Sequence, residues 1–193
     1  MLMDQLRMNI FLIGCRCTGK STVGETLAER LGRPFMDTDR MVVEASGISI
    51  AKMVEKHGWP FFREREHEAL LTSCARDNQV VATGGGIVLD VRNVSAMKDA
   101  GCAVWLTARR ETILARMLGD ETTAVSRPSL TGEGLLEEID TVLAERKPLY
   151  AKAADLTIDT DQATIEEICE RIVTKYEPSR LFTGLSTLNP INQ

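Results

Sequence analysis

Short apolar runs alternate with longer amphipathic stretches along most of this chain. "NIFLIG" reads as a buried strand, and "STVGETLAERLG" as a helix closed by Gly32. "PFMDTD" predicts a second short strand. "RMVVEASG" and "ISIAKMVEKHG" carry helical spacing, and each ends at a glycine. "PFFREREHEALLTSCARD" predicts a longer helix with Pro60 at its start, a position that tolerates the missing N–H. "QVVATGGG", "CAVWLTA" and "DLTIDT" supply three more apolar strands, with helices expected over about 90–100, 109–118, 133–152 and 164–175. Strands that are apolar throughout and divided by helices imply a parallel sheet covered on both faces. The expected fold is a three-layer α/β domain on a five-stranded parallel sheet.

Two segments fall outside the alternation. "GDETTAVSRPSLTGEG", residues 119–134, is polar, interrupted by Pro128 and Gly132, and sits between two helices. A connection of that length reads as a functional lid or a disordered excursion, and a mobile lid is the expectation. "EPSRLFTGLSTLNPINQ", residues 177–193, shows no period and is expected to be an irregular extension beyond a single domain spanning 1–176.

Composition narrows the classes of function. Hydrophobic residues make up 44% and charged residues 26% of the 193, ordinary for a globular domain. The formal net charge of −5 argues against a nucleic-acid binder. An anionic ligand must then be held by a local cluster of cations, not by the field of the whole molecule. No apolar run approaches the roughly 18 residues that span a bilayer. The N-terminus lacks a cleavage-site pattern and reads as the lead-in to a buried strand, so a cytoplasmic protein with no membrane association is expected. Five cysteines cannot all pair within one chain, and reduced thiols are the simplest reading.

"GCRCTGKS", Gly14 to Ser21, fits the phosphate-loop pattern G-x-x-x-x-G-K-[ST] between a predicted strand and a predicted helix. Its backbone N–H groups are suited to cradle phosphates at a helix N-terminus. Lys20 should reach the β- and γ-phosphates, and the Ser21 hydroxyl should bind Mg²⁺. Gly14, Cys15, Arg16, Cys17, Thr18, Gly19, Lys20, Ser21 and Thr22 are therefore the candidate ATP-binding loop. Its two cysteines are either fillers or, if the helix N-terminus lowers a thiol pKa, oxidisable. The motif specifies a nucleoside triphosphate and leaves the phosphate acceptor open.

Behind the loop stand "DTD" at 37–39, "FREREHE" at 62–68, "GGG" at 84–86, and arginines in "SRPSL" and "ERKPLY". Alone, "FREREHE" reads as a solvated helix face, "GGG" as a flexible turn, and the two aspartates as turn or cap residues. Together with the loop, the set resembles the shikimate kinases over roughly residues 8–175. The resemblance implies a phosphate-loop kinase fold and transfer of phosphate from MgATP to the 3-hydroxyl of shikimate, a step of aromatic amino acid biosynthesis. It implies that Arg63 and Arg146 hold the substrate carboxylate, with Glu66 orienting Arg63, and that Gly84, Gly85 and Gly86 contact substrate hydroxyls. Positions two apart on a strand face the same way, so both carboxylates of "DTD" are expected to face the site. By resemblance Asp37 lies on the Mg²⁺ side and Asp39 accepts the substrate hydroxyl as candidate base. Arg127 in the lid is implied to bind the ATP phosphates, making Asp39, Lys20 and Arg127 the catalytic set. Arg116 and Gln162 match positions near adenine. His57 and His67 match no catalytic position.

The loop's Cys-Arg-Cys-Thr and the tail depart from the family pattern. A monomer acting on shikimate and ATP is expected. A gluconate or nucleoside monophosphate kinase on the same fold, or a non-catalytic nucleotide-binding module, remain the alternatives.

Overall fold

A computed structural model describes residues 8–119 and 135–176. At its centre lies a sheet of β1 (Asn9–Ile13), β2 (Phe35–Asp37), β3 (Val80–Ala82), β4 (Gly101–Thr107) and β5 (Leu156–Asp159). All pairings are parallel, in the order β2-β3-β1-β4-β5, so the first strand is central. Ile10 stands between Val80 of β3 and Cys102 of β4. Along one face run α1 (Lys20–Leu31) and α7 (Ile165–Tyr176); along the other run α3 (Ile50–Cys74), α4 (Val91–Ala100) and α6 (Leu135–Ala153). The expected three layers are present.

The pleat of β1 explains why its sequence shows no polar alternation. Ile10 and Leu12 pack with Val23 and Leu27 of α1 and Ile168 and Ile172 of α7. Phe11 and Ile13 point the other way, toward Leu70 of α3, Met97 of α4 and Tyr150 of α6. A strand covered on both faces must be apolar at every position.

Helix ends follow the local signals. Gly32 closes α1 and Gly47 closes α2 (Thr38–Ser46), both in the left-handed conformation. α5 (Arg110–Gly119) follows β4. Hydrogen bonding runs from Ile50 to Cys74, but Gly58 breaks the helical path (φ 78°, ψ 168°). The two helices expected on either side of Gly58 are thus the two arms of α3, and Pro60 begins the second arm. The arms enclose a satellite core of Val42, Ile50, Met53, Phe62 and Ala69.

One expectation is corrected. The strand ends at Asp37 and does not reach Asp39, because the Asp37 side chain caps α2 by accepting from the Arg40 N–H at 3.1 Å. Asp39 lies in the first turn of that helix, so alternation along a strand does not relate the two carboxylates. Arg127, the lid and the tail at 177–193 lie outside the described residues. Among the described residues no helix is long and apolar enough to cross a membrane.

Asn9, fully buried, ties the start of β1 to the turn before β3. Its Nδ2 donates to the Arg76 carbonyl at 2.7 Å, and its Oδ1 accepts from the Gln79 N–H at 2.9 Å. Asn9→Ala leaves the buried Gln79 N–H without a partner and the Arg76 carbonyl with Gln79 Nε2 alone, at 3.2 Å. It is expected to lower the unfolding free energy by about 1–3 kcal/mol, the cost of one unmet buried polar group. Urea unfolding should show a lower midpoint with an unchanged slope.

Candidate active site

β1 is flanked by β3 on one side and β4 on the other, so the winding of the chain reverses at its carboxyl end. That is where open α/β sheets form a ligand crevice, and the phosphate loop occupies it. Gly14 has φ 141°, and a Cβ there would stand against the Leu106 carbonyl. Only glycine fits both demands. Within the loop, Thr18 Oγ1 donates to the Cys15 carbonyl at 2.8 Å. Lys20 Nζ donates to the Gly14 and Cys15 carbonyls at 2.9 and 2.7 Å, which folds its ammonium back over the loop.

The two loop cysteines are placed differently. Cys15 is buried among Ile113, Met117, Ile139 and Val142, as a filler anchoring the loop to α5 and α6. Cys17 is half-buried, has φ 60°, and lines a hollow with Thr22, Arg116, Thr160, Ala163 and Ile165. Arg116 closes that hollow, donating through Nη1 to the Cys17 carbonyl (3.2 Å) and Thr160 Oγ1 (3.1 Å), and through Nη2 to the Thr160 carbonyl (3.1 Å). Gln162 is exposed on the loop between the lining residues Thr160 and Ala163. On the solvent side of the phosphate loop, Ser21 Oγ donates to Asp37 Oδ2 at 2.8 Å. Asp37 therefore uses one oxygen to cap α2 and the other to meet Ser21.

On the far side of the loop an open cleft collects the acceptor-side candidates except Gly84, which stands behind its lining. Asp39, Arg63, Gly85, Gly86 and Arg146 line it, together with Arg16, Trp59, Phe62 and Glu66. Arg63 lies over the rings of Trp59 and Phe62, at 5.3 and 5.2 Å from their centroids. Its Nη1 pairs with Glu66 Oε2 at 2.6 Å, one helical turn along α3. Arg146, 6% exposed, donates through Nη1 to the Gly85 carbonyl at 3.1 Å. Two guanidinium groups from α3 and α6 thus face one cleft, an arrangement suited to a carboxylate.

Glycine at 84 and 86 is required by close approach. A Cβ on Gly84 would lie 2.6 Å from Asp39 Oδ1 and against Glu66 Oε1; one on Gly86 would stand in the Arg63 guanidinium. Thr38 Oγ1 accepts from the Gly84 N–H at 3.0 Å, which holds the start of α2, and with it Asp39, against the glycine turn. Glu66 is 1% exposed and its Oε1 has no hydrogen-bond partner. Burial raises its pKa; Arg63 opposes that and Asp39 adds to it.

Tyr150 was not singled out by the sequence. Its hydroxyl donates to the Gly85 carbonyl that Arg146 also reaches, and its ring stacks on Trp105 at 5.7 Å. The available signal was its place one turn after Arg146 in "ERKPLY", hidden because an aromatic at helical spacing reads as core. The histidines stay outside the cleft lining: His57 is exposed against Phe61, and His67 Nδ1 pairs with Asn93 Oδ1 at 2.7 Å. Among the described residues no group of three or more His, Cys, Asp or Glu side chains is placed to hold a metal.

A family model described as shikimate kinase matches residues 16–177. The shikimate kinase of Syntrophus aciditrophicus is 42% identical over 180 residues, covering 89% of this chain and 92% of that protein. The solved shikimate kinase from Acinetobacter baumannii in complex with shikimate superposes with a TM-score of 0.82 at 33% identity, covering 96% of this chain and 99% of that one. A gluconokinase from Sinorhizobium meliloti 1021 is similar in fold, with a TM-score of 0.54 at 17% identity.

Because Glu66 is held above the ordinary carboxylate range, the folded protein keeps this proton to higher pH than the unfolded chain does. The group's contribution to stability is full below the unfolded carboxyl pKa near 4.5 and is lost as pH rises through the folded value. Glu66→Gln cannot ionise and removes that loss. The stability of wild type relative to Glu66→Gln, from urea unfolding, is expected to fall as pH rises from 4.5 toward neutrality. A flat or rising difference contradicts the assignment.

Proposed function

This chain belongs to the shikimate kinase family, and from that premise we propose that it transfers the γ-phosphoryl group of ATP to the 3-hydroxyl of shikimate. The observation that carries the reading is the convergence of Arg63 and Arg146 on one cleft beside Asp39, next to a phosphate loop. The substrate carboxylate is held between the two guanidinium groups, which places the ring hydroxyls toward Asp39 and the glycine turn. Asp39 accepts the hydrogen bond of the attacking hydroxyl and takes its proton as oxygen bonds to phosphorus. On the donor side, phosphate oxygens are bound by the loop N–H groups and compete for the Lys20 ammonium that now rests on the Gly14 and Cys15 carbonyls. Arg116, Thr160 and the loop to Ala163 bound the hollow for the base, with Gln162 at its rim. Arg127 belongs to this reading as the cation on the transferring group.

Magnesium fits the oxygen donors present. The Ser21 hydroxyl and Asp37 carboxylate meet at 2.8 Å beside the loop, and Mg²⁺ prefers a few such hard oxygens, completing its shell with phosphates and water. Ser21 and Asp37 would hold it, and it would neutralise charge on the phosphates. The same reading places the protein in the cytoplasm as a monomer working on small molecules, without nucleic acid or membrane.

ADP release measured with shikimate, gluconate and AMP side by side tests the reading. Turnover is expected with shikimate alone; turnover on gluconate with none on shikimate overturns it. Asp39→Asn is expected to lower kcat by at least about 100-fold with nucleotide affinity retained, as loss of a general base does. Asp37→Asn keeps the cap of α2 through its Oδ1, since asparagine caps as well as aspartate, and replaces the charged oxygen that meets Ser21 by a neutral NH₂. It should raise the Mg²⁺ concentration needed for half-maximal rate far more than it lowers the limiting rate. Equal, mild losses in both variants return the pair to a structural role.

A further inference from the structure

Gly85 is the point where three parts of the site meet. Its carbonyl accepts from Arg146 Nη1 at 3.1 Å and from the Tyr150 hydroxyl, two residues one turn apart on α6. Its other side faces the phosphate loop: a Cβ there would lie 3.4 Å from the Arg16 nitrogen and 3.5 Å from the Gly14 carbonyl oxygen. Tyr150 is 1% exposed, and burial pushes its phenol well above the ordinary range, so the hydroxyl keeps its proton and donates.

A carbonyl oxygen has two acceptor directions. Tyr150 fills one, and Arg146 takes the other through a single Nη1. Arg146 Nε has no hydrogen-bond partner and stands 3.9 Å from Glu145 Oε2, so the contacts gathered at Gly85, where the Tyr150 hydroxyl also meets the guanidinium, restrain how the fork is turned. The Gly85–Gly86 amide is trans, so holding its oxygen against α6 turns the Gly86 N–H away from α6. Two donors on the oxygen also polarise the amide and strengthen that N–H as a donor.

We propose that Tyr150 is a positioning residue for the acid clamp: by occupying one acceptor direction of the Gly85 carbonyl it confines Arg146 to the other. The guanidinium is thereby kept turned toward the substrate carboxylate instead of doubling up on the backbone. Without the hydroxyl, the Gly85 oxygen is open to a second guanidinium nitrogen, and Arg146 is drawn off its ligand. The nucleotide side is held by its own contacts of Arg116, Thr18 and Lys20, none of which involves the Tyr150 hydroxyl. This inference rests on the reading of the cleft as the shikimate site.

Tyr150→Phe keeps the ring on Trp105 and removes only the hydroxyl. The expected result is a shikimate KM raised about three- to tenfold, the size of one hydrogen bond, with the ATP KM within about twofold of wild type. Trp105→Phe, which loosens the ring packing, is expected to lower Tm and leave the shikimate KM unchanged. A Tyr150→Phe enzyme with an unchanged shikimate KM, or with both KM values raised equally, overturns the proposal. If that variant does not fold, wild type labelled with 3-fluorotyrosine answers the question, since Tyr150 and Tyr176 are the only tyrosines. Shikimate without nucleotide is expected to shift the ¹⁹F resonance of Tyr150, assigned with Tyr176→Phe, and ADP alone to leave it in place; a resonance that ignores shikimate overturns the proposal. Wild type with no shikimate-dependent ADP release removes the functional reading instead, which keeps the two failures apart.

Discussion

The carboxyl oxygens of Asp39 and Glu66 occupy the space where Gly84 would carry a side chain, and the Arg63 guanidinium occupies the same space at Gly86. Asp39, Glu66 and Arg63 take their positions from this close approach of side chains to a bare backbone. α2 and α3 bring their acidic and basic residues to the carboxyl edge of β3, and the glycine turn lets them come within contact of it. A methyl group at either position would push the carboxylates or the guanidinium outward and separate groups whose chemistry depends on adjacency.

This crowding sets the electrostatics. Glu66 is buried beside Arg63 with one oxygen unpartnered, and Asp39 faces the same turn. Three charges that water would screen stand where screening is weak, so each alters what its neighbour can do. Glu66 is held toward its neutral form, while the guanidinium groups of Arg63 and Arg146 supply the positive end that a carboxylate ligand needs. In a chain of net charge −5 an anion site must be built from local cations and backbone N–H groups, and the cleft and the phosphate loop carry both.

Much of this was legible beforehand, for identifiable reasons. The strands β1, β3 and β4 are apolar through all but their end residues, which signals burial on two faces. Gly32 and Gly47 ended helices because positive φ was needed there, and Gly58 with Pro60 marked a break that the structure places inside α3. The phosphate loop was readable because its spacing is set by backbone geometry. "DTD" was read less well. The two aspartates were expected to share a face through strand alternation, but the Asp37 side chain ends the strand by capping α2. Asp37 then turns to Ser21 and Asp39 into the cleft, by the turn of a helix and not by a pleat.

What a linear pattern records is burial and backbone conformation, since both repeat over a few residues. The layers of the fold, its helix stops and the phosphate loop could be stated from residues alone for that reason. Contacts between residues far apart leave no such period. Arg146 and Gly85 are separated by 61 positions, and Tyr150 and Gly85 by 65, and nothing in "ERKPLY" shows that both donors meet one carbonyl. Their meeting is settled by the packing of α6 across β1 and β4, where Tyr150 lies on Trp105 and shares a core with Ile13. Asp39, Arg63, Gly85, Gly86 and Arg146 were all present in the chain; the close packing of the sheet's carboxyl edge put them round one cleft.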